Sequence, residues 1–143
     1  MSAAENKQLL KTAFDAWATG DIRPLIAAMA DDVTWTVSGH NSWSGRFSGK
    51  DSVRRDLLGP LGAQFDGTYT STASRFVAED DVVVVETQGS VATKAGGRYD
   101  NKYCFVFRVE DGRIREITEY MDTQLVAEVL GVAGPVTSAT GPG

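Results

Sequence analysis

Apolar residues along this chain change their spacing partway: they recur at three- and four-residue steps near the start and at alternate positions after about Thr68. From Ala3 to Thr19 the residues Leu9, Leu10, Ala13, Phe14 and Trp17 share one helical face, and Ser2 with Glu5 has the spacing of a capping box. Gly20 is placed to close this helix. Asp21 is placed to cap a second one, with Pro24 in its first turn and Leu25, Ile26 and Met29 as its stripe. Asp31 and Asp32 read as the turn that follows. Val33 to Val37 then alternates as a strand with Val33, Trp35 and Val37 on one side. The Gly- and Ser-rich stretch from Ser38 to Ser52 reads as a loop, long enough in a domain of this size to suggest a functional one. A third helix, capped by Asp51, should carry Val53, Leu57 and Leu58 and end at Gly59 and Pro60.

The remainder reads as β structure. Thr68 to Ala78 alternates weakly, Glu79 to Asp81 forms an acidic turn, and Val82 to Thr93 is a Val-rich strand ended by Ala95, Gly96 and Gly97. The stretch from Tyr99 to Asp122 predicts two long strands joined by a tight turn at Glu110, Asp111 and Gly112. In the first strand Tyr99, Asn101, Tyr103, Phe105 and Phe107 share the apolar face; in the return strand Ile117, Glu119 and Met121 share one face. A carboxylate between Ile and Met breaks the pattern of an apolar wall. Leu125 to Leu130 reads as a short terminal helix. Helices first and antiparallel strands afterwards predict an α+β fold, with residues 1–130 as a single domain and 131–143 as a disordered tail.

Composition narrows the function classes. The 143 residues are enough to bury one core without a disulfide or metal, and the three Trp, four Tyr and six Phe supply either core or cavity wall. A net charge of −5, with fourteen Lys and Arg scattered along the chain, leaves no basic footprint for nucleic acid or an anionic membrane. The single cysteine, Cys104, cannot form an internal disulfide or a multi-Cys metal site, and reads as a small buried apolar residue. Neither a basic leader nor a long apolar run is present, so a soluble, cytoplasmic protein is expected.

Three strings, ATGDIRPLIAAMADDVTW, FSGKDSV and FRVEDGRIREITEYMDT, in this order and spacing resemble the nuclear transport factor 2-like superfamily, in particular its ketosteroid isomerase-like and SnoaL-like (polyketide cyclase-like) branch. The resemblance covers Lys7 to Leu130. It implies a cone formed by a strongly bent, mostly antiparallel sheet wrapped by three helices, open at one end to an apolar cavity, and a homodimer through the outer sheet face. The isomerases' catalytic tyrosine, general-base aspartate and protonated aspartic acid align with Ala13, Val37 and Phe105, so none of that apparatus is present. Against the limonene epoxide hydrolase branch, one acidic position aligns with Glu119. The hydrolase tyrosine aligns with Trp35, its asparagine with Val37, and its arginine and second aspartate with Thr87 and Gly89.

The chemistry therefore centres on Glu119, whose charged form would be disfavoured on a cavity-facing strand. Alternatively it sits solvated near the mouth, or pairs with Arg46 or Arg98. His40, the only histidine, is a second catalytic candidate because its loop borders the cavity in this superfamily. Trp35, Asn101, Tyr103, Phe105, Ile117 and Met121 are candidate substrate contacts. No metal ligands and no cofactor are expected. The implied function is binding of a small, apolar, oxygenated molecule. Glu119 would turn it over by isomerase, cyclase, lyase or hydrolase chemistry, or else the module binds ligand or dimerises without catalysis.

Overall fold

The hairpin lies at the centre of a six-stranded sheet, and the rest of the chain is arranged around it. The computed structural model describes residues 1–133; ten residues of the expected tail, 134–143, lie outside the described part. Two helices, α1 (Ala3–Trp17) and α2 (Arg23–Ala28), lead into β1 (Met29–Val37) and a short β2 (Gly45–Ser48). A third helical segment follows, with a turn α3 (Lys50–Ser52), a π-helical stretch (Val53–Leu58) and a closing turn α4 (Gly59–Gly62). Then come β3 (Phe65–Glu79), β4 (Val82–Thr93), β5 (Lys102–Glu110), β6 (Arg113–Met121) and α5 (Thr123–Leu130). The strand order is β2-β1-β6-β5-β4-β3; β1 runs parallel to β6 and every other pair is antiparallel. This is an α+β fold, a mixed sheet wrapped by helices.

The predicted signals explain most of these boundaries. The Ser2 hydroxyl accepts from the Glu5 N–H at 3.1 Å and the Ser2 N–H donates back to the Glu5 carboxylate at 2.9 Å, completing the capping box of α1. Asp122 caps α5 by accepting from the N–H groups of Gln124 and Leu125. The β5–β6 turn is a two-residue one. Asp111 and Gly112 both have positive φ, 53° and 71°, the mirror-image geometry that matches the twist of paired strands.

Several boundaries differ from the sequence reading: β3 begins at Phe65, β5 at Lys102, and the third helical segment is capped at Gly49 without a bond from Asp51, while three further differences shape the site. Asp31 and Asp32 do not form a turn: α2 passes directly into β1, and a register shift between Met29 and Thr34 bows both acids out to solvent. The expected loop after Val37 contains β2, an edge strand pairing with Thr34 to Val37; it is polar and nearly fully exposed, so it carries no alternation to detect. Gly59 and Pro60 do not end the third helix. The Gly59 N–H reaches back five residues to the Arg54 carbonyl, and this wider turn lets Pro60 begin a fresh helical turn where its missing N–H is not needed.

The core lies between α1 and the concave face of the sheet. Leu10, Phe14, Phe105, Phe107, Ile114 and Ile117 are essentially inaccessible, each contributing about 1.5–3 kcal/mol through burial. Phe14 sits at its centre, with ring centroids 5.5–6.1 Å from Trp17, Phe76, Phe105 and Phe107. Strict alternation cannot bury both Ile114 and Ile117. A bulge does so, since Val109 pairs with Ile114 while Arg108 pairs with Glu116, leaving Arg115 unopposed.

Candidate functional site

Sheet pairing places Glu119 on the inner face, opposite Phe105 of β5 and Val37 of β1. Trp35 lies one diagonal step away on β1. Its indole Nε1–H donates to Glu119 Oε1 at 2.6 Å, within a site where Glu119 is 8% exposed. No hydrogen bond holds the other carboxylate oxygen among the described residues. Neither Arg46 nor Arg98 pairs with Glu119: Arg98 bonds Asp100 and Ser90 instead. With no cation beside it, loss of hydration dominates and pushes the Glu119 carboxyl up to about 7, while the indole hydrogen bond pulls the other way.

Glu119 lines a cavity of about 420 Å³, a volume suited to a small organic ligand. Trp17, Trp35, Phe65, Tyr69 and Phe105 supply its aromatic walls, and Leu57, Leu58 and Leu61 of the third helical segment close over it. Tyr69 reaches this wall because β4 offers a glycine beneath it: a Cβ at Gly89 would collide with the Tyr69 hydroxyl. Tyr103 also lines the cavity, and its hydroxyl donates to that of Tyr99 at 2.8 Å. Burial raises Tyr69 and Tyr103 well above the usual phenol range, so both remain neutral hydroxyls.

Of the residues singled out in the sequence, Trp35, Tyr103, Phe105 and Glu119 meet at the cavity. Asn101 lies behind it. Its Nδ2 donates to the Tyr99 hydroxyl at 3.2 Å and to the Asp122 carbonyl at 3.0 Å, while its Oδ1 accepts from the Asp122 N–H, which ties the start of β5 to the end of β6. Ile117 is buried in the sheet core and Met121 is half-buried at the strand end; neither is in the lining. His40 is exposed in the loop before β2 and is likewise outside the lining. Trp43 packs inside and donates to the Gly131 carbonyl at 3.1 Å. The sequence reading missed Trp17, Tyr69 and Arg54 as lining residues. Trp17 carried only a helix-core signal, Tyr69 sat in a weakly alternating strand, and Arg54 stood out from no pattern. Among the described residues no three His, Cys, Asp or Glu side chains gather in a way that could hold a metal ion.

The family model of the SnoaL-like domain matches residues 10–117, from the middle of α1 into β6. The chain belongs to the SnoaL-like domain family. The uncharacterized protein Rv0034 of Mycobacterium tuberculosis (strain ATCC 25618 / H37Rv) is 32% identical over 112 residues, 78% of this chain and 85% of that one. An NTF2-like protein from Burkholderia thailandensis E264 shares the fold with a TM-score of 0.77 at 24% identity, covering 91% of this chain and 98% of its own. TerC, co-crystallized with polyporic acid, shares it with a TM-score of 0.74 at 19% identity, covering 87% and 97%. The SnoaL-like chain thus has the fold of NTF2-like proteins. As in other small-molecule-binding folds, its apolar cavity has few polar side chains: Glu119, the indoles of Trp17 and Trp35, the hydroxyls of Tyr69 and Tyr103, and Arg54.

Proposed function

We propose that this SnoaL-like protein is a cofactor-independent enzyme that moves a proton on a small, apolar, oxygenated molecule, with Glu119 as the acid–base group. The observation that carries the reading is the Glu119 carboxyl itself, buried on the cavity wall and held by the Trp35 indole at 2.6 Å. A carboxyl pushed up to about 7 is divided between its two forms near neutral pH, so it can take a proton in one step and return it in the next. The indole N–H leaves the second carboxylate oxygen for the substrate and favours the ionised form as the proton departs. Tyr69, a neutral phenol on the same wall, is the donor available to a carbonyl or developing oxyanion on the ligand, since the Tyr103 hydroxyl already donates to Tyr99. Isomerisation, cyclisation, elimination and hydrolysis all suit one such base in an apolar site.

A second reading, a binding module without turnover, is favoured by a specific observation. The positions where isomerases and epoxide hydrolases carry further catalytic groups hold Ala13, Val37, Phe105, Thr87 and Gly89 here. A thermal-shift screen against terpenoid epoxides, steroids, polyketide aromatics and hydroxylated lactones, followed by product analysis on the hits, separates the two. The enzyme reading expects a melting-temperature rise in both wild type and Glu119→Gln, with product formed only by wild type. A rise without product in either protein supports the binding module. Equal turnover by both proteins removes Glu119 from the chemistry.

A further inference from the structure

The cavity lining carries two ionisable side chains of opposite sign that differ in exposure. Glu119 is buried, whereas Arg54, the one cationic residue of the lining, is exposed and so marks the rim. Among the described residues Arg54 has no carboxylate partner, and the cause is local: Asp56 accepts from the Arg55 guanidinium at 2.9 and 3.0 Å and from the Ser52 hydroxyl at 3.0 Å. The arginines of the sheet are mostly engaged, as Arg75 is by Glu86, Arg98 by Asp100, and Arg108 by Glu110 and Glu116. Arg46 shares the lack of a partner but lies on β2, outside the lining. The π-helical turn adds a second feature. By bonding the Gly59 N–H to the Arg54 carbonyl, it sets Arg54 beside Leu58 and Gly59, which also line the cavity. An unpaired guanidinium thus borders an apolar pocket in a chain of net charge −5, whose overall field would repel anions.

We propose that the cavity selects small carboxylic acids with an apolar, ring-bearing body, the carboxylate held at the rim by Arg54 and the body inserted toward Glu119. This rests on the reading of the cavity as a ligand site and adds the class of ligand. A guanidinium matches a carboxylate with two parallel N–H donors, a geometry that an amide or ester lacks. The reverse orientation is disfavoured because it would press two carboxyl groups together among apolar walls, where they cannot both ionise. Arg54 is then a specificity determinant, and Glu119 keeps the acid–base role.

Calorimetric titration with cinnamate and biphenylcarboxylate, each paired with its neutral primary amide, tests this on wild type, Arg54→Gln and Arg54→Lys. Wild type is expected to bind each carboxylate at least about fivefold tighter than its amide, the weight of a charge-assisted pair at a half-wet rim. That preference should shrink with added salt. Arg54→Gln should erase the preference by weakening carboxylate binding far more than amide binding, with a cooperative thermal unfolding transition showing that the variant folds; Arg54→Lys should keep part of it. Equal binding of acid and amide by wild type, or a preference that survives in Arg54→Gln, overturns the anion selection alone. Failure of wild type to bind either acids or amides overturns it together with the ligand-site reading.

Discussion

Glu119→Gln has a consequence that can be measured without knowing the substrate. In the folded chain the Glu119 carboxyl sits at about 7, against an ordinary 4.5. Because the folded value is the higher one, the folded state binds the proton more tightly than the unfolded state. Stability is therefore full below about pH 4.5 and is lost as pH rises toward 7, the reverse of the usual salt-bridged carboxylate. A gap of about 2.5 units at about 1.36 kcal/mol each corresponds to about 3 kcal/mol of stability removed between acid and neutral pH. Glutamine has the same shape and stays neutral, and its carbonyl can still accept the Trp35 N–H; its amide N–H₂ is left in an apolar wall at a cost of about 1–3 kcal/mol. The variant should therefore match or fall below wild type at pH 5 and overtake it by pH 8, with the difference between them rising by about 2.5 kcal/mol over that range. Urea unfolding of both proteins across this range reads that difference directly, and every other titrating group cancels in it. A difference that stays constant with pH would mean that the carboxyl is solvated, and the acid–base role would fall with it.

Three further substitutions probe the same architecture. Trp35→Phe removes the hydrogen bond that, among the described residues, favours ionised Glu119; the carboxyl should titrate about one unit higher, observed by carbon NMR of labelled glutamate. Gly89→Ala should cost about 1–3 kcal/mol in urea unfolding and reduce ligand-induced stabilisation, because the added methyl displaces the Tyr69 ring from the cavity wall. His40→Ala, at an exposed loop position outside the lining, should change stability by less than about 0.5 kcal/mol and leave ligand-induced thermal shifts intact.

Period and capping chemistry made much of the fold legible along the chain. The Ser2 and Glu5 box, the five alternating inward residues from Tyr99 to Phe107 and the Asp111-Gly112 turn are local signals, and each appears where the spacing predicts. Parity alone also put Glu119 on the inner face, since the side-chain period of a strand leaves no other choice once Ile117 is inside. Bulges, partners and the third helix lay beyond such reasoning. The register shifts at Met29 to Thr34 and around Arg115 turn side chains against their parity, and they depend on a neighbouring strand that no local window contains. The π turn, in which the Gly59 N–H bonds the Arg54 carbonyl, carries the helix on through Pro60 and overrides the helix-stop signal of Gly59 and Pro60. Likewise Trp35 and Glu119 stand 84 residues apart. Their hydrogen bond exists because β1 pairs in parallel with β6, and tertiary burial, which no residue carries in its own composition, is what raises the carboxyl's proton affinity.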